Sequence, residues 1–330
     1  MQFFSRLGGR RRPPLLGLDI GAFGVCLVEL GASARGDWSL ERLGVEPLER
    51  GCVSEGRVED FEAVVAAVRR ALARTATRQR RAALALPASA VMTRRLVLPA
   101  GLRDDEMEQL VRLEIEQHIP FPLEEVSVDF CVAGPLAGPA GQVEIVAAAS
   151  RQERVLDRQG VAEAAGLVPV VMDIETHASQ RALQRWLLAR SMAAPGALLA
   201  WFELGPTAMH LRVLQDGATL HEQDQGLETG GGAGLGPAGH TATARRVAQA
   251  LQQFFAGAPH HAVDHVLLSG PATGAEGLTE RVAELTGFDT VRVDPFEGMA
   301  VGPAVERDLR QRVAGACLVA CGLAMRADIA

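Results

Sequence analysis

The 330-residue sequence predicts an α/β fold of two lobes facing a cleft. Three observations predict it. First, one pattern occurs twice: an apolar strand ending in acid–x–Gly, a short turn, then a second strand. The copies carry Asp19-Ile20-Gly21 and Glu203-Leu204-Gly205. Second, strand-like and helix-like segments alternate after each copy, the pattern of an α/β domain. Third, Ala193-Ala194-Pro195-Gly196 interrupts the chain between them.

The elements follow in order. Leu15–Ile20, Val25–Leu30 and Trp38–Glu46 are three strands joined by tight turns. Asp60–Arg74 is a helix, with Phe61, Val64, Val65, Val68 and Leu72 forming a stripe at helical spacing. Ala82–Leu86 and Val91–Leu98 are strands. Asp104 and Asp105 open a helix over Asp104–His118, because acids suit a helix N-terminus, and Pro120 and Pro122 stop it. Strands at Val126–Val132 and Gln142–Ser150, a helix at Glu153–Ala165, a buried strand at Leu167–Ile174 and a helix at Thr176–Leu188 complete the first lobe. The second begins with strands Ala197–Leu204, Met209–Leu214 and Ala218–Gln223. A Gly-rich connector then leads to a helix at Thr241–Phe255, a strand at Val266–Leu268, a helix at Leu278–Leu285 and a strand at Thr290–Val293. Gly315–Met325 is a final helix.

Composition narrows the chemistry. The chain has 33 basic and 40 acidic residues, a net charge of -7, and no Lys, Asn or Tyr. Every basic residue is therefore Arg. Without Lys there is no Walker-A loop and no Schiff base. The acidic balance speaks against nucleic acid as a partner. Five scattered Cys do not form a disulfide framework, and a reducing cytoplasm fits them best. Cys317 and Cys321, one helical turn apart in a small-residue apolar run, read as packing rather than as metal ligands. No apolar run approaches the ~20 residues that a bilayer-spanning helix needs. Residues 1–14, with Arg10-Arg11-Arg12-Pro13-Pro14, read as an exposed lead-in.

The paired turns resemble those of the actin-like ATPase superfamily, in which they hold phosphates from opposite sides. Further stretches are more specific. Ala85-Leu86-Pro87-Ala88-Ser89-Ala90-Val91, Gly101-Leu102 with Asp104-Asp105-Glu106-Met107, and Glu114-x-Glu116-Gln117-x-Ile119-Pro120-Phe121-Pro122-Leu123-Glu124-Glu125-Val126 resemble the PilM family of type IV pilus assembly. Leu16–Gly21, Asp173-Ile174-Glu175, Asp294-Pro295-Phe296 and Ala320–Ala324 agree with it in order along the chain.

The resemblance implies an actin-like (FtsA/PilM-type) fold. A first lobe at 15–193 carries an inserted subdomain at about 51–151. The second lobe is at 194–300, and a C-terminal helix within 301–330 returns to the first lobe. It implies ATP and magnesium in the cleft, held by Asp19, Gly21, Gly24, Glu203, Gly205, Thr207 and Gly270. It also implies a partner, the cytoplasmic N-terminal tail of the inner-membrane protein PilN. The tail-binding residues expected are Glu114, Phe121, Glu124 and Glu125, a rigid aromatic between prolines with acidic neighbours that suits an apolar tail carrying a basic residue.

The sequence departs from the pattern where nucleotide should bind. The first turn reads Gly21-Ala22-Phe23-Gly24-Val25-Cys26, with no hydroxyl and with Cys26 where the family usually has Lys. Glu203 replaces an Asp, Pro206 removes an amide donor, and Pro271 stands among the adenosine-side glycines. The helical subdomain that closes over the nucleotide is expected to be missing, since only Leu227–His240 occupies its place. These changes predict weak or absent ATP binding.

Other signals are set aside. Gly234-Leu235-Gly236-Pro237-Ala238-Gly239 matches G-x-G-x-x-G but follows no buried strand. His260, His261 and His265 lie in a loop-like stretch without a third ligand at metal spacing. No catalytic residue and no metal set can be named. The function expected is a cytoplasmic scaffold, peripheral to the inner membrane through its partners and serving pilus assembly and twitching motility. The alternatives are a nucleotide-switch ATPase of the same fold, an actin-like component of a type II secretion platform, and a sugar-kinase-type phosphotransferase.

Overall fold

The computed structural model describes residues 15–32, 37–136, 141–205, 208–226, 237–274 and 276–328. The first lobe opens with β1 (Leu16–Gly21), β2 (Gly24–Ala32) and β3 (Trp38–Pro47), an antiparallel meander. Two short strands, β4 (Val53–Ser54) and β5 (Arg57–Val58), form a ribbon. Helix α1 (Phe61–Thr75) starts on Asp60, whose carboxylate accepts from the Ala63 amide at 2.9 Å, a side-chain N-cap. Of its predicted stripe, Val64, Val65 and Val68 are buried and Leu72 is half-buried, while Phe61, at the first turn, is exposed. Strand β6 (Arg81–Leu86) then runs parallel to β1.

A smaller unit follows, with β7 (Val91–Pro99), α2 (Asp104–Glu116), β8 (Val126–Pro135) and β9 (Gln142–Arg151). Its sheet has the order β7-β9-β8, and Met107, Val111 and Ile115 of α2 pack on Ile145, Ala147 and Ala149. Of the stretch 51–151 expected as an insert, α1 and β6 belong instead to the main part of the lobe. Strand β6 pairs with β1, and α1 buries its apolar stripe against the same sheet. The separate unit therefore spans Val91–Arg151. The lobe closes with α3 (Gln152–Ala164), β10 (Val168–Ile174) and α4 (Glu175–Ala189).

The second lobe contains β11 (Leu198–Leu204), β12 (Ala208–Gln215), β13 (Ala218–Gly226), α5 (Pro237–Gly257), β14 (His265–Ser269), α6 (Leu278–Thr286) and β15 (Thr290–Arg292). Its sheet order is β13-β12-β11-β14-β15. The chain returns to the first lobe through β16 (Ala300–Val301), which pairs with β3, so the first sheet reads β10-β6-β1-β2-β3-β16. Two helices follow, α7 (Arg307–Val313) and α8 (Leu318–Ala324), and then a 3-10 turn at Met325–Asp328. In the connector expected to stand in place of a closing subdomain, residues 227–236 lie outside the described residues, as does the lead-in at 1–14.

One apolar core joins the lobes. Leu183, Trp186 and Leu187 of α4 and Leu318 and Cys321 of α8 pack with Val28 and Leu43 on one side and Trp201 and Leu267 on the other. Gly17 of β1 lets α8 approach this closely, because a Cβ there would lie 1.8 Å from the Ala320 carbonyl oxygen. The expected single helix at Gly315–Met325 is a 3-10 turn, Ala314–Cys317, followed by α8. Within that turn the Gly315 carbonyl oxygen accepts from the Gly270 amide at 2.8 Å. Helix α7 was not foreseen, since it buries no residue and carries no apolar stripe.

Candidate functional site: an interlobe cleft and a neighbouring groove

The two acid–x–Gly strands face each other across a cavity of about 380 Å³ lined by Asp19, Gly21, Phe23, Glu175, Glu203 and Gly270, among others. Asp19 stands near the end of β1, directly opposite Cys26 of β2. The residue in the expected Lys position therefore faces the acid as a thiol, not as an ammonium. The Cys26 Sγ lies 3.6 Å from the Ala316 carbonyl oxygen, and its contact with Cys317, with burial second, pushes the Cys317 thiol well above its usual range.

Two charged residues of the cleft, Arg158 and Arg212, were not singled out from the sequence; a third, Glu175, stood there only within the family-like stretch Asp173-Ile174-Glu175. Glu175 is the first residue of α4, immediately after β10. Arg158 lies on the inward face of α3 and is only 2% exposed. Its guanidinium donates to the carbonyl oxygen of Ile20, and to that of Gly56 at 3.1 Å. Arg212 of β12 donates to Glu203 at 3.2 Å and to Glu222 at 2.9 Å, with its guanidinium carbon 4.9 Å from the Trp201 ring centre. Each had a faint signal. Arg158 interrupts the apolar face Val155–Val161–Ala162, and Arg212 sits on the polar alternate of an otherwise apolar central strand.

Burial is the main influence on the two first-lobe carboxyls. It raises Asp19 to about 6, with Arg158 opposing and Glu203 adding. It raises Glu175 to about 8, where the charge of Asp19 adds and Arg158 opposes. Both carboxyls are thus pushed toward the protonated form, Glu175 further than Asp19, the behaviour of carboxyls that share one site. No group of three or more His, Cys, Asp or Glu among the described residues is placed to hold a metal. His265 begins β14 and pairs with Asp289 at 2.8 Å.

The expected glycines divide. Gly21 is open, with nothing within 4 Å of where a Cβ would stand. Gly24 and Gly270 are required by packing: a Cβ would lie 2.3 Å from the Glu46 carbonyl oxygen at the first and 2.4 Å from that of Leu204 at the second. The Gly205 amide donates to the Ala208 carbonyl oxygen at 2.9 Å. Thr207 lies outside the described residues.

Next to the cleft, between the small unit and the turn at Ala88–Ala90, is a groove of about 360 Å³. Met92, Ile119, Phe121, Val126, Arg151 and Arg154 line it. Phe121 is half-buried, with the Arg151 guanidinium carbon 3.8 Å from its ring centre. The ring thus packs on the small unit's core and also faces the groove. Glu114, Glu124 and Glu125 lie outside the groove's lining; its charged members are Arg151 and Arg154.

A family model described as type IV pilus assembly protein PilM matches residues 17–236 and 235–328. The chain belongs to this family. A solved PilM-PilN type IV pilus biogenesis complex contains a similar chain, 28% identical, with a TM-score of 0.72 over 96% of this chain and 99% of that one. Ethanolamine utilization protein EutJ from Carboxydothermus hydrogenoformans is similar over 97% of this chain and 92% of that one, at 13% identity and a TM-score of 0.50, a likeness of fold alone. The fold is the actin-like one that the family implies. Among the described residues no helix is long and apolar enough to cross a membrane.

Proposed function

We propose that this PilM-family chain is a cytoplasmic scaffold of type IV pilus assembly, and that it takes the N-terminal cytoplasmic tail of PilN in the groove beside Phe121. The observation that carries the reading is the groove itself. It is concave, largely apolar and walled by a half-buried aromatic, the form in which short peptide segments are held. The family likeness to a chain solved in a PilM-PilN complex supports the choice of partner. The chain then sits at the inner membrane through that partner, and its loss abolishes twitching.

The guanidiniums of Arg151 and Arg154 modify the expected tail. Beside the apolar contact they favour main-chain carbonyl or side-chain acceptor groups, while Glu124 and Glu125 meet any basic residue only where the tail leaves the groove. The test is a calorimetric titration of the chain with a synthetic PilN-tail peptide and with a scrambled peptide of the same composition. Saturable binding of the first alone is expected; equal binding of both removes the groove as a specific site.

A further inference from the structure

The actin-like fold implies a magnesium-bound nucleotide between Asp19 and Glu203, and the residues present do not fit it. The Gly205 and Gly270 amides are already spent on Ala208 and Gly315. The side chains of Ala22 and Phe23 offer no donor to a phosphate. The two guanidiniums among the described lining residues, Arg158 and Arg212, both donate to protein acceptors. Around them stand the carboxyls of Asp19, Glu55, Glu203, Glu222 and Asp224, which outnumber the two guanidiniums and leave an acidic lining that repels a polyphosphate.

We propose that Arg158 and Arg212 are built-in counter-charges, one per lobe, that do in this cleft what a metal-bound nucleotide does elsewhere in the fold. Arg158 lines the cleft with the first lobe's Asp19 and Glu175, anchored on the carbonyls of Ile20 and Gly56 so that its charge stays in place. Arg212 bridges Glu203 and Glu222 of the second lobe, stacked on Trp201, which is itself fixed by donating to Ser269 at 2.8 Å. Burial alone lowers the Arg212 guanidinium, and Glu203 and Glu222 more than reverse this. The acids nearest the two guanidiniums, Asp19 in the first lobe and Glu203 and Glu222 in the second, thus have a counter-charge from within the protein.

The full chain is titrated with magnesium chloride alone and with magnesium-ATP, reading heat and melting temperature. Wild type is expected to be silent to both. In Arg212→Met, Glu203 and Glu222 lose their counter-charge, and magnesium alone should then raise the melting temperature, with an affinity at least roughly tenfold above that of wild type, the scale of one charged hydrogen bond. Arg212→Lys should remain silent. If Arg212→Met does not fold by itself, its refolding yield with and without magnesium gives the same reading, rescue being the supporting result. Submillimolar magnesium-ATP binding by wild type that is lost in Asp19→Ala overturns the proposal. So does an Arg212→Met chain that neither responds to magnesium nor is rescued by it. None of these readouts involves the PilN peptide, so failure here leaves the groove reading standing.

Discussion

Arg326, near the end of the described chain, places its Nε 3.1 Å from Asp173 Oδ2 on β10, and the two side chains are 5% and 2% exposed. Arg181 of α4 reaches the same oxygen at 3.1 Å and also donates to the Gly322 carbonyl oxygen at 2.9 Å. One buried carboxylate therefore pins the C-terminal segment to the first sheet and to the helix that joins the lobes.

Replacing that carboxylate leaves two guanidiniums facing each other in a dry site. Asp173→Ala is expected to cost about 3–5 kcal/mol, the usual result of removing one partner of a buried ion pair. Asp173→Asn retains an acceptor and should cost less. Urea denaturation of both variants checks the order; equal stability to wild type would show that the pairs do not hold the C-terminal segment.

Helix α8 should tolerate no side chain beneath it. Gly17→Ala puts a methyl 1.8 Å from the Ala320 carbonyl oxygen and 2.7 Å from the Ala324 nitrogen, both backbone atoms. Overpacking of this kind costs about 1–3 kcal/mol or more. A lower urea midpoint with an unchanged slope is the expected observation, whereas Gly21→Ala, with open space around it, should leave the midpoint close to wild type.

Stability should carry the mark of Glu175. Its carboxyl rises from 4.5 to about 8 on folding, through burial first and the charge of Asp19 next, with Arg158 opposing, Glu203 adding and Arg212 opposing. A raised acid favours the folded state fully below its unfolded value, and the contribution is lost as pH climbs through the folded one. Asp19, raised from 3.8 to about 6, acts with the same sign over a lower window. Glu175→Gln should melt like wild type near pH 4 and several degrees above it near pH 9. Parallel melting curves across that range would contradict the assignment.

At the groove, Phe121→Ala should weaken binding of the PilN-tail peptide by about 2 kcal/mol, the scale of an aromatic anchor. Glu124→Arg should change affinity less and mainly shift its dependence on salt, because Glu124 is exposed and outside the lining. Unchanged binding by folded forms of both variants would take this stretch out of the interface.

Much of the cleft was legible in advance. Asp19 and Glu203 are recognisable because an acid at the end of an apolar strand, followed by Gly and a turn, is a local pattern, and it occurs twice. Arg158 was not, because its meaning depends on Ile20 and Gly56, far away in the chain and brought to it by folding. Gly24 and Gly270 matched a ligand-binding motif, and the structure gives both a packing reason. Strand β16, two residues long, has no periodicity to detect.

The sequence by itself determined the strand–turn–strand pairs, the helices with apolar stripes, the absence of lysine from the phosphate turns and the family. These are local properties, written in spacing and residue type. Only the tertiary structure decided that β6 joins the main sheet and α1 packs on it, that the Gly315 carbonyl serves Gly270, and that Arg158 and Arg212 already occupy the cleft. Each of these is a pairing between distant residues, chosen by where a carbonyl or carboxylate finds its partner once the sheets are packed. Periodicity carries no record of that choice.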